Sequence, residues 1–122
     1  MKITEAWENK DKVIDNCRKH NACDSEFTKL INAKTQIDFE NVLLRNFDWC
    51  VYKNIFEEWL PESLPDCIQL DCYDCNNLIQ LPKLSKCKIL NCSNCTKLTS
   101  LPKLSKCEIL DCSYCDNLKN II

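Results

Sequence analysis

The chain has 122 residues, 45% of them hydrophobic and 28% charged, with a formal net charge of −2, a balance that fits one soluble globular domain. So small a charge leaves no electrostatic footprint for a nucleic acid or an anionic membrane surface. The opening MKITEAWENKDK alternates charges with single apolar residues, and no run approaches the roughly eighteen apolar residues of a membrane span, so neither a secretory leader nor a spanning helix is expected.

Residues 1–59 carry no repeat and read as helical. Ile3, Ala6, Trp7, Val13, Ile14 and Cys17 keep three-to-four spacing with Glu, Lys and Asp between them, which predicts one amphipathic helix. After a polar break at Lys19 to Asn21, Asp24 or Ser25 is placed to cap a second helix that buries Phe27, Leu30 and Ile31. A third apolar stripe comprises Phe39, Val42, Leu43, Phe47, Cys50, Val51, Ile55, Phe56 and Trp59. It is interrupted around Asn46 to Asp48, where Asp48 can start a new helix, and Pro61 ends it.

Residues 67–118 repeat one statement three times: CIQLDCYDCNNL, CKILNCSNCTKL and CEILDCSYCDNL. Cys67, Cys87 and Cys107 open these copies at a period of twenty, and the bridge LPKLSK occurs at 81–86 and again at 101–106. Within one copy, Cys87, Leu90, Cys92, Cys95, Leu98, Leu101 and Leu104 are the apolar positions. The step of two from Leu90 to Cys92 marks a short strand, and steps of three turn the chain around a core. Pro82 and Pro102 suit an extended return segment. The joint Leu60-Pro61-Glu62-Ser63-Leu64 has one residue more than Leu81-Pro82-Lys83-Leu84, so an irregular entry to the first coil is expected.

Twelve cysteines invite two chemical readings. With no leader ahead of them, free thiols in a reducing, cytoplasmic compartment are the expectation, a virion component being the alternative. The pairs Cys72/Cys75, Cys92/Cys95 and Cys112/Cys115 have C-x2-C spacing, which formally matches a zinc ribbon. Three pairs leave a remainder when divided into four-ligand sites, whereas stacked coils account for all nine repeat cysteines as small buried residues. No metal or other cofactor is therefore expected. Thiol redox catalysis needs a thiolate at a helix N-terminus, and these pairs lie on strand and turn. His20, the single histidine, falls in a linker, and the absence of glycine removes phosphate-cradling loops. No catalytic residues are assigned, and an enzyme is not expected.

The pattern C-x-x-L-x-C-x-x-C-x-x-L-x-x-L-P-x-L resembles the leucine-rich-repeat family, over residues 60–122, with cysteine in two of the leucine places and in the place usually held by asparagine. The LPxL return is similar to the short variant of secreted bacterial effectors and some plant immune receptors. The resemblance implies an α+β fold: a helical N-terminal capping region, 1–59, then a solenoid of about three coils with one parallel strand each. It also implies that Cys75, Cys95 and Cys115 bond the backbone after the strand, more weakly than asparagine would.

A repeat array cannot bury its own end, so the helices are expected to cap the first coil. At the far end, Leu110, Cys112, Leu118 and Ile121 are expected to keep one open side. Residues between the inward ones give outer columns Gln69/Ile89/Ile109, Asp71/Asn91/Asp111 and Tyr73/Ser93/Ser113, with Asp74/Asn94/Tyr114 beside them. Leucine-rich repeats bind proteins on this concave face, and aromatic anchors dominate such contacts. Lys83, Lys86, Lys103 and Lys106 form a solvated basic edge. The expected function is a non-catalytic protein-binding module that uses the strand face, the open third coil or both, without nucleic-acid or membrane partners. A small structural subunit of a larger assembly, such as a viral particle, and a zinc-binding adaptor are the alternatives.

Overall fold

The computed structural model describes residues 2–56 and 60–118. Among them the fold is α+β: four helices, α1 (Lys10–Lys19), α2 (Asp24–Asn32), α3 (Gln36–Arg45) and α4 (Phe47–Tyr52), precede a three-stranded parallel sheet. Its strands are β1 (Gln69–Asp71), β2 (Ile89–Asn91) and β3 (Ile109–Asp111), in that order.

The expected first helix is divided. Ile3–Glu5 forms a 3-10 turn, with the Ala6 N–H donating to the Ile3 carbonyl at 3.1 Å, and α1 begins only at Lys10. The tighter three-residue period puts Ile3 and Ala6 on one side, both buried, while the Trp7 ring meets Phe39 edge-on at 5.6 Å. Two further expectations are corrected in α2. Cys23 holds the N-cap position without a side-chain cap bond, so Asp24 is the first helical residue. Phe27 and Leu30 pack inward, but Ile31 is 45% exposed, because only the i, i+3 pair faces α1 and α3. Thr35 caps α3, its hydroxyl accepting the Asp38 N–H at 3.1 Å, and the stripe breaks at Asn46 as expected, with α4 starting at Phe47. Trp59 lies outside the described residues.

A chain without glycine must build its reversals from other residues. Asn21 and Asn54 take φ of 57° and 54° just past α1 and α4. Each is followed by a residue whose N–H reaches back into the last helical turn, Ala22 to the Cys17 carbonyl at 3.1 Å and Ile55 to that of Cys50 at 2.9 Å. Asparagine tolerates the left-handed region better than other non-glycine residues, so it ends both helices.

In the second half several of the steps of three are closed by tight turns. The N–H groups of Cys75, Leu78, Cys87, Leu98, Cys107 and Leu118 donate to the carbonyls three residues earlier, at 3.1 to 3.4 Å. Successive strands stack in a register of twenty: Gln69 faces Ile89 and Ile89 faces Ile109. Leu70, Cys72, Leu84, Cys87, Leu90, Cys92, Cys95 and Leu98 line a core without measurable exposure. The extra residue of the first bridge is absorbed before Ser63, which pairs with Lys83 at the same offset of twenty.

The helices meet this sheet along β1. The Lys88 N–H donates to the Ile68 carbonyl and the Glu108 N–H to that of Lys88, both at 2.8 Å. Ile68 has no preceding segment, and its N–H donates instead to Asn41 Oδ1 of α3 at 2.9 Å. Asn41 Nδ2 in turn donates to the Asp66 carbonyl at 3.0 Å. One side-chain amide thus supplies the acceptor and donor that a missing strand would have offered.

Candidate interaction surface

The parallel register puts Gln69, Ile89 and Ile109 in one row on the outer face of the sheet, with Asp71, Asn91 and Asp111 in a second. Gln69 and Ile89 are half-buried and Ile109 is exposed, as are Tyr73, Asp74 and Tyr114 at the ends of the strands. Leu118 is not an outer residue: it packs against the core, partly open. Ile121 lies outside the described residues.

The second row has a task that the sequence did not reveal. Asp71, Asn91 and Asp111 each turn Oδ1 back to accept the N–H two residues on, from Tyr73, Ser93 and Ser113, at 3.0 to 3.1 Å. These Asx turns fix the exit from each strand, and the Ser113 N–H holds the Asp111 carboxyl below its ordinary range. Ser93 departs from its expected outward column, since it is buried with its hydroxyl donating to Asn91 Oδ1 at 2.7 Å.

Asp74, Asn94 and Tyr114 all have φ near 60°, completing the reversal after each strand. Asp and Asn suit this region, and Asn94 Nδ2 donates to Asp74 Oδ1 at 2.6 Å across the stack. Tyr114 is strained there without a comparable bond among the described residues, and it is 78% exposed. Of the expected partner-binding residues, Tyr73, Ile89, Ile109 and Tyr114 are therefore freest of structural duty.

The Cys95 and Cys115 sulfurs reach back to the preceding segment, whereas those of Cys75, Cys87 and Cys107 bond within their own. Cys95 Sγ donates to the Cys72 carbonyl at 3.0 Å and Cys115 Sγ to that of Cys92 at 2.9 Å. Cys75, which has no preceding segment, bonds only its own Tyr73 carbonyl, at 3.7 Å. Burial pushes the Cys17 thiol up to about 11 and Cys75 up to about 12, and raises Cys50 and Cys92 as well. Cys67 is raised first by its contact with the Cys87 thiol and then by burial. Among the described residues no three Cys, His, Asp or Glu side chains converge where a metal ion could be held. The two sulfurs of each C-x2-C pair belong to different columns of the stack.

Three features escaped the sequence. Trp49 and Tyr52 of α4, with Tyr73 and Asp74, line an open groove of about 480 Å³ beside the first strand. Tyr52 is exposed, with the Lys53 ammonium 5.1 Å from its ring centre, and its only signal was that it falls off the apolar stripe. A cavity of about 290 Å³ lies between α2, α3 and α4, with Arg45 and Glu26 at its wall. Arg45 holds Glu26 through Nε and a second guanidinium nitrogen at 2.7 and 3.2 Å, Asn46 adds a third bond, and the Arg45 contact takes the Glu26 carboxyl down to about 2. Asp48, on the wall of both hollows, is raised by burial and then by the charge of Asp71. Finally, Cys23 is the exposed cysteine, its thiol lowered first by the Ser25 hydroxyl 3.4 Å away.

Among the described residues no helix is long and apolar enough to cross a membrane. Compared with protein-family models, curated proteins and solved structures, the chain matches none.

Proposed function

We propose that the chain is a short, helix-capped leucine-rich-repeat module of the cytoplasm that binds a protein partner on its strand face without catalysing a reaction. The observation that carries this reading is the row Ile89–Ile109, set in register on the outer face and flanked by exposed Tyr73 and Tyr114. A pair of β-branched side chains between two aromatic rings offers apolar anchoring area at low entropic cost. Asp74 and Asp111 at its margin favour a partner with an apolar contact and a basic rim. The nine repeat cysteines serve as packing in this reading, each column running through the three segments of the stack.

Affinity capture from a cell extract, with the 122-residue chain as bait beside its Ile109→Lys and Tyr73→Ala variants, tests it. Partners held by the parent and lost from both variants support the strand face. Identical partner sets for all three baits, or none above the bare resin, overturn it.

A second reading, a structural subunit of a larger assembly, draws on the third segment, where Leu110 is 41% exposed and Cys107, Cys112 and Cys115 are only partly covered. Capture of one large, stoichiometric complex that survives the strand-face substitutions favours it.

A further inference from the structure

The open side of β3 has a hydrogen-bonding pattern that specifies what can cover it. In the sheet, odd-numbered strand residues bond toward the preceding segment and even-numbered ones toward the next: the Cys72 N–H donates to the Asn91 carbonyl, and the Cys92 N–H to that of Asp111, both at 2.8 Å. On β3 the groups that would serve a following segment are the Glu108 carbonyl, the N–H and C=O of Leu110, and the Cys112 N–H. The Glu108 carbonyl and the Cys112 N–H have no hydrogen-bond partner among the described residues. Unpaired edge groups beside a half-open leucine are a template for a further strand.

A second copy cannot continue the stack head to tail, because its β1 edge is already occupied by Asn41 and α3. Rotation about a two-fold axis through Leu110 removes that obstacle. The outward groups then match their own reversed image: the N–H and C=O of Leu110 meet those of Leu110 in the second copy, and each Cys112 N–H meets the opposite Glu108 carbonyl. Glu108 lies across from Cys112 and Asp111 from Ile109, so no like charges face one another. The exposed side of Leu110 is covered by the same leucine of the other copy.

We infer that two copies of this chain pair antiparallel through β3, joining two three-stranded sheets into one and closing the open ends of both cores. This uses the edge of β3, not its outer face, and stands independently of the partner proposed above. In the pair, two Ile89–Ile109 rows lie on one continuous sheet, which presents two docking positions related by the two-fold axis.

Light scattering on the full 122-residue chain across a dilution series tests this. The parent should show twice the 14.3 kDa of one chain, falling to 14.3 kDa on dilution. Leu110→Lys alone and Leu110→Glu alone should be monomers, and an equal mixture of the two should recover a dimer. A parent that is monomeric at every concentration, or folded Leu110→Lys that still dimerises, overturns the inference. Should the variants not fold, hydrogen exchange on the parent decides. Protection of the Leu110 and Cys112 amides that grows with concentration supports the pair. Protection, or lack of it, that is the same at all concentrations refutes it, the first because something else in the same chain then covers the edge.

Discussion

The second and third segments carry nearly the same residues and have different fates. Leu90 and Leu110, Cys92 and Cys112, and Cys95 and Cys115 are equivalent by the twenty-residue register, yet Leu90 is 0% exposed and Leu110 41%. Among the described residues the second segment has a neighbour on each side and the third on one. Burial is therefore a property of a strand's position in the sheet, and the same leucine should contribute unequally to stability in the two places.

The most direct way to break that comparison is the pair Leu90→Ala and Leu110→Ala. The first should cost about 3–4 kcal/mol in urea unfolding and the second about 1 kcal/mol, with both measured in dilute solution. Equal costs would mean that the third segment is buried as deeply as the second.

The opposite end of the stack gives the next largest effect. Glu26→Gln removes the charge that Arg45 and Asn46 hold and should cost about 2 kcal/mol. The sign in pH follows from the depressed carboxyl. Its stabilisation is fully present above its ordinary value of 4.5 and is lost as pH falls from there toward about 2. Acid titration of the parent should show this loss between those values, and Glu26→Gln should lack it.

Asn41→Ala leaves the Ile68 N–H and the Asp66 carbonyl without their partner and should cost about 1–2 kcal/mol. Among the described residues the β3 edge has no such side chain. Amide exchange at Ile68 should therefore speed up in the variant toward the rate of Cys112 in the dilute parent.

The smallest change sharpens the comparison at the reversals. Tyr114→Asn should stabilise by about 1 kcal/mol, since the third segment then has the residue that Asn94 provides in the second. Thiol alkylation followed by mass spectrometry should rank the cysteines in the same sense: Cys23 first, then the half-buried Cys107, Cys112 and Cys115, and last Cys72 and Cys92, which are buried and raised.

Much of the second half was legible in the chain. The period of twenty, the inward set from Cys67 to Leu98, the strand at the step of two and part of the turns at the steps of three follow from side-chain spacing, because a parallel register repeats every local choice. The helical half was read less well, since a 3.6 period marks a face without marking where a helix begins. The sequence therefore ran Ile3 to Cys17 together and buried Ile31. The outer face was legible as columns but not as roles. Asp71, Asn91 and Asp111 read as an outward, partner-binding column, and the structure commits their oxygens to backbone N–H groups.

By itself, the amino-acid sequence determined the period of twenty and most of the side chains that turn inward in each segment, while the left-handed positions of Asn21, Asn54, Asp74, Asn94 and Tyr114 emerged only with the structure. The inward set is a local consequence of alternation and turn geometry. Only the tertiary structure decided that Asn41 completes the edge of β1, that Glu26 is held by Arg45 across nineteen residues, and that identical leucines differ in burial. Those facts depend on which segments lie beside one another, and a side chain's environment is set by its neighbours in space as well as by its own chemistry.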